Sequence, residues 1–502
     1  MSQKWEELNK KTIDSMMSGK LDEALKFAEE TVNEAKAEGD EAQILLSLSN
    51  QSEVQQSIGD FESAEGVLKE AIELSRKING ENSETADYVG NLAVMYSYMT
   101  QHKEAEEIFN EELRIRRALD NDYEGIVQCL QGLSECLLEQ GRSDEAEAAL
   151  EQAIEAIEKN EGGESSNKGP VLVNMSVVYS KSGNPEKAGE VLRKALKLYE
   201  KNPGPDHPVF ADAISRLADT YVDRGALTPA VSLYAQAVEI LKSTLDKNDP
   251  EIAAKEEKLG QLYLKTGDID SAGKALKAAL EIQKKAFGDD NETTAQTEND
   301  LGEVYMSVEN FKEAEPLLKH SLEVREKTLA EGHPAIAQSL NNMAVLLENQ
   351  GKYQQSIPLH ERALKIRKDY FGEKHPAVTQ SLENLAAVYQ AVGRFQEGED
   401  LLRESLAIWI EFAGEDNPAA AQTMFDLGTI LFMRAKYREA ERVVQQAVGI
   451  MEKHYGSENP NLAVPYKALA AIAKKLGKKS DEEKYAALYK KVSEAGNAGQ
   501  TK

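Results

Sequence analysis

Apolar residues recur along this chain at helical intervals, and a short polar turn interrupts them at nearly constant distances. Leu385, Val388 and Tyr389 lead into one such turn, and Leu401, Leu402, Leu406 and Ile408 follow it, the spacing of two amphipathic helices. Equivalent turns fall at Gly19, Gly59, Thr100, Gly141, Gly183, Gly225, Gly267, Glu309, Gly351, Gly393, Ala435 and Gly477, 40 to 42 residues apart. Nine of the twelve are glycine, the residue that most readily takes the left-handed conformation closing a helix. Five residues after each turn stands a small residue, from Ala24 through Ala440, with Glu482 breaking the pattern in the last unit. Seven residues before each turn the position is small in all twelve units, from Thr12 through Ala470. Small residues on both sides of a tight turn let antiparallel helices approach closely. Each unit therefore reads as helix A, turn, helix B, and a period of this length marks a solenoid.

The units run 5–44, 45–85, 86–126 and 127–168, then every 42 residues from 169, with a shorter capping unit at 463–496. A leader covers residues 1–4, and a disordered tail is expected from 497 to 502. Six A helices open on a residue followed by proline: His207-Pro208, Asp249-Pro250, His333-Pro334, His375-Pro376, Asn417-Pro418 and Asn459-Pro460. Proline suits the first helical position, and Asp or Asn before it can cap. His207, His333, His375 and, on a B helix, His360 recur at fixed repeat positions without metal-ligand spacing, so they read as turn or core residues. Glu158–Pro170 reads as a flexible loop between units four and five. The first two units are degenerate. Lys11 and Gln51 stand where an A helix usually has Leu, and Ser15 and Gln55 where it has Tyr, which points to a register shift or a cap.

Composition narrows the function. The 502 residues carry a net charge of −28, and 31 are aromatic. A single core rarely grows past ~300 residues; a repeat array, burying its core between neighbours, has no such ceiling. So acidic a chain lacks the basic footprint of a nucleic-acid binder. No apolar run reaches the ~20 residues of a membrane span. Cys129 and Cys136 lie two helical turns apart, too far for a disulfide, and read as buried thiols. The N-terminus has no signal-like apolar region, so a cytoplasmic location is expected, with an organelle stroma as the alternative if a presequence has been removed. Phosphate-binding loops, zinc-protease and nucleophile-elbow motifs are absent, and neither catalytic residues, cofactor nor metal is expected. Residues 466–502 hold nine lysines against four acids, and Lys474, Lys475, Lys478 and Lys479 form the one basic cluster. It reads as a solvated cap face, or else as an acidic-partner or localisation signal.

The pattern L-x-x-(small)-x-x-Y, then Gly, an aromatic residue and Ala, resembles the tetratricopeptide repeat along essentially the whole chain. The 42-residue period narrows this further. Asn341 through Tyr353, and Glu361-Arg-Ala-Leu-Lys-Ile-Arg-Lys-Asp-Tyr-Phe-Gly-Glu-Lys-His-Pro376, are similar to the repeat of kinesin light chains. The resemblance implies an all-α fold, a right-handed superhelical solenoid of about twelve helix pairs. It also implies a concave groove lined by A helices that binds a peptide or protein partner. True kinesin light chains carry a heptad region before their repeats; here the repeats begin at residue 5, which argues against a motor subunit.

The resemblance further implies that the second, fifth, sixth, ninth, twelfth and thirteenth residues of each unit face the groove. These include Asn299, Asp300 and Glu303 in unit eight and Gln338, Asn341, Asn342 and Asn349 in unit nine. Units ten and eleven add Gln380, Asn384 and Phe425. An amide both donates and accepts, so such a surface can pair with a peptide backbone whatever its side chains. Units eight to eleven place no Lys or Arg at groove positions, whereas Arg216, Lys258 and Lys265 in units six and seven could hold an acidic group. The expected role is a non-catalytic scaffold or adaptor for a protein or peptide, with a kinesin-type cargo adaptor and an organelle assembly factor or co-chaperone as alternatives. Self-association through the end units, by way of Trp5, Met16 and Met17, is a further expectation.

Overall fold

The structure, a computed structural model, describes residues 3–499, with side chains to Glu494. Within those residues the chain forms 24 α-helices and no strand. They fall into two compact units, with the chain dividing between Asp246 and Lys247. The first unit comprises α1 (Gln3–Met17), α2 (Leu21–Glu38), α3 (Glu41–Ile58), α4 (Phe61–Asn79), α5 (Ser83–Tyr98), α6 (His102–Arg117), α7 (Tyr123–Glu139), α8 (Ser143–Glu161), α9 (Lys168–Lys181), α10 (Pro185–Lys201), α11 (Pro208–Asp223) and α12 (Leu227–Thr244). The second comprises α13 (Pro250–Thr266), α14 (Ile269–Phe287), α15 (Glu292–Ser307), α16 (Phe311–Thr328), α17 (Pro334–Asn349), α18 (Tyr353–Phe371), α19 (Thr379–Ala391), α20 (Phe395–Ala413), α21 (Pro418–Met433), α22 (Tyr437–Tyr455), α23 (Ala463–Lys475) and α24 (Lys479–Gly499). Odd-numbered helices are A helices and even-numbered ones B helices. Within each unit every helix packs on the next, so each unit is an α-solenoid.

All twelve predicted turns adopt positive φ, including the non-glycine Thr100, Glu309 and Ala435 at 57–58°. The Pro-led A helices are capped as their sequence suggests. Asp249, Asn417 and Asn459 accept the backbone N–H two residues on at 2.8–2.9 Å, and His207, His333 and His375 do the same through Nδ1 at 3.1–3.2 Å. These histidines are caps, and a neutral Nδ1 acceptor is what that role requires. Tyrosines of the repeat signature reach across to the preceding B helix: the hydroxyls of Tyr96 and Tyr389 donate to Glu65 and Glu361 at 2.8 Å.

Several expectations change. Turns at Gly19 and Gly59 sit in the common register, so the first two units are not shifted. Trp5 is buried, and its Nε1 donates to Ser47 Oγ of the second repeat at 2.9 Å, so it is spent on packing within the array; Met17 is exposed. Most of 158–170 is helical. The connecting segment, 162–167, is tied down by Asn167 Nδ2 donating to Glu161 at 2.8 and 2.9 Å. Gln3 and Lys4 of the leader belong to α1, and α24 continues to Gly499; Met1, Ser2 and 500–502 lie outside the described residues. Cys129 and Cys136 are buried free thiols donating to the carbonyls of Phe109 and His102.

The close A–B contact is specific. A Cβ on Gly260, Gly302 or Gly428 would lie 2.2–2.6 Å from the side chain sixteen residues on, Leu276, Leu318 or Val444. In unit nine the same register pairs Ala344 with His360, both fully buried. His360 Nε2 lies 2.5 Å from Glu348 Oε1, while Nδ1 has no hydrogen-bond partner among the described residues. An unpaired buried polar atom costs ~1–3 kcal/mol. His360→Leu should therefore raise stability by about 1 kcal/mol in denaturant unfolding; a lowered midpoint would show that the bond to Glu348 outweighs the orphaned nitrogen.

Candidate peptide groove

In the second unit A helices touch the A helix two elements on, α13 with α15, α15 with α17 and α21 with α23, so they share one face. Side chains at the fifth and sixth repeat positions meet across these seams. Asn342 Nδ2 donates to Asn299 Oδ1 at 3.1 Å, and Asn384 Nδ2 donates to Asn341 Oδ1 at 2.6 Å. In the first unit Asn50 repeats the bond to Asn9 at 2.8 Å. The amides are thus a ladder holding neighbouring repeats in register. Asn299 and Asn341 are buried within it, while Asn342 and Asn384 are half-buried with one donor committed.

The remaining groove residues divide by access. Gln380, Asn349 and Glu303 are exposed, and Gln338 and Phe425 are half-buried. Asp300 is buried and accepts from Gln261 and Gln296, each at 2.8 Å. Arg216 lies in the first unit, ion-paired to Asp212 at 2.7 Å. Lys258 and Lys265 are exposed in the second.

A layer beneath the groove was not anticipated. Sixteen residues after the turn, units four to six carry Ile157, Tyr199 and Leu241, but units seven to ten carry Gln283, Arg325, Arg367 and Trp409. Each reaches toward the A helices. Gln283 donates to Glu257 at 2.8 Å, Trp409 Nε1 to Glu383 at 3.2 Å, and Arg367 to Ser381 at 2.9 Å. Arg325, fully buried, donates to Gln296, to Ser339 Oγ at 2.9 Å and to the Ala335 carbonyl. Glu383 Oε1 also accepts from Ser405 at 2.7 Å and Thr423 at 2.6 Å. The apolar-to-polar switch at this one register position was the available signal.

Three acids of this face have raised pKa values. Withdrawal from water pushes the Glu257 carboxyl up, and the Asp300 charge adds to it while the bond from Gln283 opposes it. Glu303, although its side chain reaches solvent, is raised first by the protein packed around it, which thins its hydration, and then by the Asp300 charge. Asp426 is pushed up to about 6, chiefly by burial, with the Glu383 charge adding and the bond from Gln422 opposing. Among the described residues no three His, Cys, Asp or Glu side chains converge as a metal site, and no helix is long and apolar enough to cross a membrane.

The tetratricopeptide repeat model matches residues 83–159, 169–243, 251–327, 293–369, 335–387 and 378–453, most of the chain. The chain belongs to the tetratricopeptide repeat family. No curated protein sequence matches it. Among solved structures it is similar to the apo form of RapI, at 15% identity over 74% of this chain and 99% of RapI, with a TM-score of 0.52. That likeness concerns the fold alone. It is also similar to a Podosopora anserina protein of nearly identical TPR-like repeats named for kinesin light chain, at 28% identity over 41% of this chain and 98% of that one, TM-score 0.36. BtubC (BKLC) from P. vanneervenii matches at 27% identity over 46% of this chain and 91% of its own, TM-score 0.38.

Two outcomes follow for this tetratricopeptide face. Asn384→Ala leaves the Asn341 carbonyl without its amide donor and should cost about 1 kcal/mol in denaturant unfolding; no loss would remove the ladder's structural role. Asp426, with its folded pKa above the unfolded value, binds more protons folded than unfolded between about 4 and about 6. Its contribution to stability therefore falls as pH rises through that window. Asp426→Asn should melt higher than wild type at pH 7.5, with the difference gone by pH 4; a pH-independent difference would contradict this.

Proposed function

We propose that this chain is a non-catalytic scaffold whose second unit captures an extended segment of a partner protein along its A helices. The observation that carries this is the lining of repeats eight to eleven. Exposed amides such as Gln380 and Asn349 can serve a peptide backbone, and acids such as Glu303 stand there without a basic residue at any groove position. Phe425, half-buried, and Met433, exposed, bring apolar surface at one end. The bound segment is neutral or basic and partly apolar, because an acidic one would set like charge against Glu303 and Asp426, which have no Lys or Arg at a groove position of these repeats. Asn299, Asn341 and Asp300 act as the framework of this surface, and Gln338, Gln380 and Glu303 as its contacts. Adaptor and assembly factor are both served by such a surface.

A peptide array probed with the full chain should return neutral-to-basic segments with apolar residues. Glu303→Lys with Gln380→Lys should weaken them at least tenfold. An array dominated by Glu- and Asp-rich binders would overturn the assignment.

A further inference from the structure

The amide ladder ends at Asn384 of repeat ten, and the next seam sets the Glu383 charge against Asp426. In the seam after that, between α21 and α23, the fifth position is Phe425 and the sixth is Ala468, so no polar pair is left there at all. An apolar notch of about 170 Å³ opens at this place, bounded by Thr429, Phe432, Val444, Ala468, Ala471 and Ile472. It is close in size to a cavity that holds a benzene ring, ~150 Å³. Gly428 makes its floor possible, since a Cβ there would meet Val444 Cγ2 at 2.2 Å. Phe432 is held as a wall by its edge contact with Tyr437, ring centroids 5.4 Å apart.

Charge changes sign across this notch. Asp426 lies one helical turn before Thr429, with Glu383 and Glu303 in the repeats behind it. Beyond it, on α23 and within one turn of Ala468 or Ala471, are Lys467, Lys474 and Lys475. All three are exposed and none makes an ion pair among the described residues, although Lys467 Nζ lies over the Tyr489 ring, 6.0 Å from its centroid. Other lysines of this unit do find carboxylates: Lys478 meets Glu441 at 2.7 Å and Lys491 meets Glu458 at 2.9 Å.

We infer that the notch takes an apolar side chain of the bound segment and fixes its polarity. Residues on one side of that anchor are basic and lie over the acids of repeats eight to eleven. Residues on the other side are acidic and lie over Lys467, Lys474 and Lys475. This rests on the groove reading above and adds to it the segment's direction and register. Complementary charge at both ends disfavours the reversed segment, which would set like charges together twice.

The test begins with a random 16-residue peptide display library selected on the full chain. At ~3.3 Å per residue such a peptide reaches ~50 Å, across several helices spaced 8–10 Å apart. Recovered peptides are then measured by fluorescence anisotropy against wild type, Ala471→Trp and Lys467→Glu/Lys474→Glu/Lys475→Glu. Binders should share one order, basic, apolar, acidic. Ala471→Trp, which fills the notch from an exposed position, should weaken them at least tenfold. The triple variant should weaken them at least tenfold yet leave the same peptides shortened by their acidic end unaffected. Binders with mixed charge order, or indifferent to Ala471→Trp, would overturn the inference while Glu303→Lys still weakened them and the groove stood. A library that yields no binder, or only binders indifferent to Glu303→Lys as well, would overturn both.

Discussion

The contact on which the rest depends is the one between a small A-helix residue and the side chain sixteen positions later. Leu318 packs where Gly302 lacks a Cβ, and Val444 does the same at Gly428. That contact sets how close the two helices of a repeat come. The left-handed residue between them, whether Gly351 or the non-glycine Ala435, sets how sharply the chain reverses. Once both are fixed, each helix pair leaves an apolar face that only the next pair can cover, and the array propagates. A chain with few aromatics folds this way because alanine and leucine between close helices suffice for the core.

The same geometry shapes the proposed binding surface. A helices approach one another, so their fifth and sixth residues face each other across the seams. Asn384 with Asn341, and Asn342 with Asn299, pair. Phe425 and Ala468 do not, and a notch opens there. On the proposed reading, recognition rests on what the ladder leaves over: exposed amides, carboxylates without cations, and an apolar opening beside three lysines that make no ion pair among the described residues.

Much of this was legible in the sequence. The turns could be read residue by residue, including Thr100 and Glu309, because period and small-residue spacing are local signals. The caps at Asp249 and Asn417 were legible for the same reason. The ladder was not, since its bonds join residues 41 or 43 apart and nothing in either neighbourhood marks the partner. Trp5 at a chain end looked unpartnered, yet its partner Ser47 comes from the next repeat. Arg325 and His360 sat at register positions usually held by apolar residues. Their burial follows from the register, but their hydrogen-bond partners follow only from packing.

The central claim is that extended segments bind along the A-helix face of the second unit. Site-specific photo-crosslinking tests it most directly, with a photoreactive residue placed at the groove position of Gln380 or at the exposed B-helix position of Lys319. Peptide mapping of the adducts formed in cells should give neutral-to-basic segments containing an apolar residue, from the Gln380 position alone. Adducts from the Lys319 position at equal yield, or acidic segments captured at Gln380, would contradict it.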